Sequence, residues 1–362
     1  MEGILNHFES LTDPRIERCK LHPMENILFI ILAAVLSGCE NWDEIEDYGI
    51  MKQDWLSSFL DLSHGIPSHD TFDRFFSSLN PEEFERCFIS WVQSISSNIP
   101  GESISINGKT ICGANRGSGF DKVHIVSAWA SENELVLGQI KTEAKSNEIT
   151  VIPKLLELLL LEGRIITIDA MGCQKDIAEH IIEKGADYIL ALKDNHRKLK
   201  DDVFSSFSLR KPSTEYIEES FGHGRIETRK CSVATDLRFI ESASQWIGLS
   251  SVVRIQSERI IKTTGVVEKE TRFYLSSLSD AEVIGKAIRN HWGIENKLHW
   301  VLDVVMKEDD SAKRKGYAAQ NYSLINKIAL NLLSKNQKKV SIKRKRNLAG
   351  WDNEFLIQIM KN

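Results

Sequence analysis

Two acids in this chain stand where chemistry is most easily built. Asp169 closes the apolar run Ile165-Ile166-Thr167-Ile168. Glu295 lies in Arg289-Asn290-His291-Trp292-Gly293-Ile294-Glu295-Asn296-Lys297-Leu298-His299-Trp300. On a helix, His291, Glu295 and His299 share one face at i, i+4 and i+8. An acid after a buried strand also serves as a helix cap, so Asp169 has a second explanation. A lone glutamate beside lysine is commonly a solvated residue, but two His-Trp pairs bracketing Glu-Asn fit that poorly. Carboxylates brought together are hard oxygen ligands suited to Mg2+. Two such ions, roughly 3.5–4 Å apart, stabilise the attacking and leaving oxygens of an in-line phosphoryl transfer.

Asp169 and Glu295 are 126 positions apart, so a fold must bring them together. Residues 1–100 read as helices, among them Asn26 to Gly38 and a helix opened by Asn80-Pro81-Glu82-Glu83, with cap, proline and acids in order. After Pro100-Gly101 the pattern changes to strands at Ser103 to Gly108, Val123 to Ala130 and Glu134 to Ile140. A helix over Glu148 to Leu161, a strand over Arg164 to Asp169, a helix over Asp176 to Lys184 and a strand over Asp187 to Leu192 follow. Three strands, helix, strand, helix, strand is the order of an RNase H-like α/β core with a mixed sheet. Such a core draws its carboxylates from the first strand, the end of the fourth and a later helix. Those places hold Asn107, Asp169 and Glu295.

From Lys200 to Ser279 the chain reads as strands again, with Ser251 to Ile261 and Val267 to Leu275 as a hairpin pair. Helices return at Ala281 to His299 and Asn321 to Leu333. The expected organisation is an N-terminal helical, DNA-binding unit (1–100), a core in two parts (101–199 and 280–340), a β-rich insertion (200–279) and a basic tail (341–362). A purely structural cap is the other reading of the first unit.

Composition narrows the class. Hydrophobic residues make up 42% and charged residues 27% of 362, as in ordinary globular proteins. The longest apolar run, Ile27 to Leu36, is half of the roughly 20 residues a membrane span needs. Six scattered cysteines lack zinc spacing and suit free thiols in a reducing, cytoplasmic setting. A net charge of -5 excludes a uniformly basic surface. Between Ser334 and Arg346, however, stand seven basic residues and no acid, suited either to phosphate or to a solvated stretch.

Several stretches carry a family resemblance along nearly the whole chain. They include Asp13-Pro14-Arg15, Gly65-Ile66-Pro67-Ser68-His69-Asp70-Thr71-Phe72, Gly108-Lys109-Thr110 and Thr167-Ile168-Asp169-Ala170-Met171-Gly172-Cys173-Gln174. To these add Gly185-Ala186-Asp187-Tyr188-Ile189-Leu190, His223-Gly224-Arg225-Ile226-Glu227, His291 to Asn296, Leu298 to Val304 and Ala329 to Leu333. The sequence resembles DDE transposases of bacterial insertion sequences, of the ISAs, H-repeat-associated type. That resemblance implies DNA strand cleavage and strand transfer, with two Mg2+ (or Mn2+) ions held at positions 107, 169 and 295. Its partners would be duplex DNA, as terminal inverted repeats and target, bound by a homodimer in the bacterial cytoplasm at the nucleoid. Lys193, His223, Arg225, Arg289 and His291 are the residues expected to face DNA, though a glycine turn with an exposed arginine equally explains Arg225. The resemblance also implies aspartate at position 107, where this chain has asparagine. An amide offers one neutral acceptor oxygen in place of two that share a charge. The expectation is impaired cleavage, or a silent protein that recognises element ends.

Overall fold

The computed structural model describes residues 4–111, 123–142, 148–222 and 224–361. Five helices come first: α1 (Met24–Leu36), α2 (Trp42–Met51), α3 (Gln53–Leu56), α4 (His69–Ser78) and α5 (Pro81–Ile95). Asn80 caps α5 as its sequence implies, its side chain accepting from the Glu82 and Glu83 amides at 2.9 and 3.2 Å. Helix α1 is apolar all round, and every residue from Asn26 to Leu36 is buried.

The strands are β1 (Ser103–Ile111), β2 (Val123–Ala130), β3 (Leu135–Lys141), β4 (Ile165–Ile168) and β5 (Asp187–Leu192). Helices α6 (Glu148–Leu158) and α7 (Lys175–Glu183) lie between them in sequence. β1 pairs antiparallel with β2 and parallel with β4, and β4 pairs parallel with β5. The spatial order β3-β2-β1-β4-β5 is that of the expected RNase H-like core. Buried Ile104, Ile106, Ile166 and Ile168 face the main core, which extends without a break from Ile4 to Met360.

The segment expected to be all strand begins instead with helix α8 (Arg197–Leu209). Leu199, Val203 and Phe207 are its buried face, a four-residue spacing that belongs to a helix and outweighs the short alternation beside it. Then come β6 (Thr214–Gly222), β7 (Arg225–Ala234), β8 (Ser251–Ile261) and β9 (Val267–Ser276). These strands extend the core sheet: β9 pairs antiparallel with β5, giving one nine-stranded sheet. Their bases are buried, while the far ends, such as Val267 to Thr271, are exposed.

Helix α9 (Ala281–Gly293) crosses this sheet. Ala281, Ile284, Ala287 and Ile288 share a second buried cluster with Cys231, Val233, Val253 and Tyr274. It continues through a π-helical turn, Ile294–His299, into α10 (Trp300–Val304). The last helices are α11 (Ala318–Lys335), α12 (Ile342–Trp351) and α13 (Asn353–Met360). The basic tail is thus helical, and two of its cations are buried. Lys345 Nζ donates to the Leu333 and Asn336 carbonyls at 2.7 Å each, and Arg346 Nη2 donates to the Val35 carbonyl at 3.0 Å. Neither of those two is left for phosphate. Among the described residues, no helix is long and apolar enough to cross a membrane.

Candidate active site

The parallel pairing of β1 with β4 ends at Ile106 and Ile168. Asn107 and Asp169 come next, so both stand where β4 ends, while β1 runs on to Ile111 beside β2. Asp169 turns at once into a short 3-10 turn, and its Oδ1 accepts from the Met171 amide at 3.1 Å. The capping role and the cleft-facing role are therefore both present. The π-helical turn that continues α9 delivers Glu295 to the same place, where Asn107 Nδ2 donates to Glu295 Oε1. Asn107, Asp169 and Glu295 line one cleft of about 470 Å³, together with Thr167, Lys193, Lys200, Arg272, His291 and Trp292.

Burial raises the Asp169 carboxyl above its ordinary value, and the nearby Glu148 carboxylate adds to the rise. Amides of Gly172 and Met171, and the Lys193 ammonium, oppose it without cancelling it. Glu148 was not among the expected residues. It sits on the other face of β1, beside Gly108, with its Oε1 2.8 Å from His124 Nε2. A Cβ at Gly108 would fall 2.2 Å from that oxygen, so glycine is what lets the carboxylate approach the strand.

Of the three residues set at four-residue spacing, Glu295 and His299 meet, with His299 Nδ1 3.4 Å from Glu295 Oε2. His291 turns to the sheet, its Nδ1 2.9 Å from Thr167 Oγ1. Burial pushes the His291 ring down to about 4, which keeps it neutral near pH 7. It lines the cleft but brings no positive charge for a phosphate. The π-helical turn at 294–299 widens the helix where Glu295 faces β1, a common local distortion at functional positions.

Lys193 is exposed at the cleft. Arg225 and Arg289 line a neighbouring groove of about 510 Å³ with Arg229, Arg259 and Arg272. Three glutamates line it as well, Glu218, Glu227 and Glu270. Arg289 Nη1 lies 2.8 Å from Glu218 Oε2, Arg229 pairs with Glu227 at 2.9 Å, and Arg272 with Glu270 at 2.7 Å. Arg225 has no such pairing among the described residues. The groove and the cleft share Glu270, Arg272, Tyr274, Ile288 and Trp292, and Arg272 lies 4.7 Å from the Trp292 ring centre. Composition hid these added arginines, because acids elsewhere mask them in the net charge. His223 lies outside the described residues.

The comparison with known proteins decides the family. A model for the transposase DDE domain matches residues 96–332, and one for the segment associated with that domain matches residues 5–92. The chain belongs to the DDE transposase family. Escherichia coli O157:H7 has a relative, the transposase YncI, that is 42% identical over 99% of this chain and 95% of its own length. YhhI of Escherichia coli K12, named as an H repeat-associated transposase, is 39% identical over 99% and 98%. A solved piggyBac transposase synaptic complex with hairpin DNA is more distant, 14% identical with a TM-score of 0.43 over 96% of this chain and 75% of that one.

This transposase chain does not present the full donor set that a pair of divalent ions requires. The trio holds two carboxylates, and the third position turns an N–H donor toward Glu295 instead of an anionic oxygen. Asn107 Oδ1 is itself engaged, accepting from the Gly108 amide at 2.9 Å. Among the described residues no group of three or more His, Cys, Asp or Glu is placed to hold a metal ion. The donor set as it stands does not fit two ions.

Proposed function

We propose that this protein is an insertion-sequence transposase that binds element-end DNA but is impaired in metal-dependent strand cleavage and strand transfer. The observation that carries the reading is the hydrogen bond from the Asn107 amide to Glu295. It places a neutral donor where two-ion chemistry needs an anionic acceptor. In the active form of the family's chemistry, Asp169, Glu295 and an aspartate at 107 would hold two Mg2+ or Mn2+ ions, and the ions would polarise the scissile phosphodiester. The cleft and the arginine groove beside it are the proposed DNA path, with Lys193 and Arg225 as phosphate contacts. Arg289 becomes available to DNA only by releasing Glu218. Residues 1–100 are proposed to recognise terminal repeats, residues 200–279 to steady the DNA near the cut, and a dimer to hold two ends at once.

The test is cleavage of supercoiled plasmid carrying the element ends, in Mn2+, by the native chain and by Asn107→Asp. The expected result is at least about 10²-fold faster nicking by the aspartate form. Equal rates, both well above background, would show that asparagine serves as a competent ligand. A second reading is a fully silent binder of element ends. The pairing of Arg229, Arg259, Arg272 and Arg289 with glutamates leaves that reading intact, and undetectable nicking by both forms with retained end binding would select it.

A further inference from the structure

Beside the cleft, the face of β1 that carries Asn107 carries one more functional group, two residues on. Lys109 is nearly buried, and its ammonium meets Asp303 on α10, Glu308 Oε2 at 2.7 Å and Asp309 Oδ1 at 3.4 Å. Glu308 is 2% exposed. The strand and the helix thus touch at two successive rungs. Asn107 reaches Glu295, and Lys109 reaches Asp303, eight residues further along the same helical stretch. His299 stands between the rungs, 3.4 Å from Glu295. Residues two apart on a strand face the same side.

The π-helical turn gives the second rung a role. Its i→i+5 bonding rotates whatever follows relative to a regular helix. A contact outside the helix serves as a reference for that rotation. The Lys109 cluster supplies one immediately after it. Three carboxylates, Asp303, Glu308 and Asp309, surround the ammonium. The cation is fixed in place, and so are the helix positions that it bonds.

We infer that Lys109, with Asp303 and Glu308, is a positioning device that sets the rotation of the π-helical stretch so that Glu295 faces residue 107. Lys109 does not touch the reacting atoms; it acts through Glu295. Its importance for strand cleavage rests on the reading of positions 107, 169 and 295 as the reaction centre. The geometric claim does not.

The test reads geometry directly. In a full-length Asn107→Cys, Glu295→Cys form, the rate of 107–295 disulfide formation under mild oxidant is followed by mass spectrometry of the joined peptides. Adding Lys109→Met is expected to slow crosslinking at least about tenfold, and Lys109→Arg to keep it within about threefold of the parent, because contacting residues couple and the charge is retained. A Lys109→Met form that melts cooperatively and crosslinks at the parent rate overturns the inference, as does an arginine form as slow as the methionine one. Should Lys109→Met not fold, Asp303→Asn removes one carboxylate and leaves Glu308 to the lysine. Slower crosslinking in that form supports the inference, and an unchanged rate overturns it. The readout is independent of whether the Asn107→Asp form cleaves DNA.

Discussion

Exchanging a carboxylate for an amide at position 107 alters hydrogen bonding as well as charge. Asn107 donates to Glu295, whereas an aspartate would set a second anion against it. Two carboxylates sharing a site repel unless a cation joins them. Asn107→Asp is therefore expected to lower the melting temperature in chelator by about one to two degrees, on the order of 1 kcal/mol, and to regain it in millimolar Mn2+. Melting curves with and without metal check this; an aspartate form as stable as the parent in chelator argues against a close approach of the two groups. His291 gives a second signature. Its ring is held down to about 4 in the folded chain against an ordinary value of 6.5. Between those values the unfolded chain takes up a proton that the folded chain refuses. This contribution is fully present above about pH 6.5 and is lost as pH falls toward 4, costing on the order of 1–2 kcal/mol between pH 7 and 5. Urea midpoints at the two pH values should show the loss in the native chain and a smaller one in His291→Gln.

At the scale of elements, α9 connects the two halves of the sheet to the cleft lined by Asn107, Asp169 and Glu295. Asp280 starts it, accepting from the Glu282 and Val283 amides at 2.8 and 3.0 Å. Replacing that cap with alanine should cost about 1 kcal/mol, read as a shift in the urea midpoint with an unchanged slope. A change in slope instead would mean that α9 frays independently of the core. This helix was visible in the sequence because its capping acid, apolar spacing and length agree. The π-helical turn inside it was not, since the four-residue spacing of His291, Glu295 and His299 suits an unbroken helix equally well. Helix α8 shows the opposite failure. The spacing of Leu199, Val203 and Phe207 was present, but the strands on its C-terminal side dominated the local pattern.

At the scale of the whole molecule, charge divides into cations that hold the fold and cations open to a polyanion. Arg346 belongs to the first kind, bonded to carbonyls of Val35, Cys39 and Val305. Arg346→Met is expected to destabilise by roughly 2–4 kcal/mol, since it strands buried carbonyls, while leaving the salt dependence of DNA binding unchanged. Arg225→Ala with Lys193→Ala should do the reverse. Stability stays within about 0.5 kcal/mol, and the slope of log affinity against log salt falls by about one per phosphate contact removed. Titrations of end DNA at several salt concentrations separate the two. A reduced slope for Arg346→Met would return the C-terminal cations to the DNA path.

Much of the core was written in local pattern. The run Ile165 to Ile168 ended by Asp169, the Asn80 cap and the strand bounds Val123 to Ala130 and Asp187 to Leu192 depend on neighbours within a few residues, where sterics and solvation act directly. The family, too, was legible, because its stretches are contiguous. What only the tertiary structure decided are relations between distant residues. Local pattern does not say that β9 adds to β5, that Glu148 approaches Asp169 past Gly108, that Lys345 and Arg346 turn inward, or that Lys109 meets Asp303. Each depends on burial and partners supplied from far along the chain, and a charged side chain reads the same in sequence whether water or a buried counter-charge receives it.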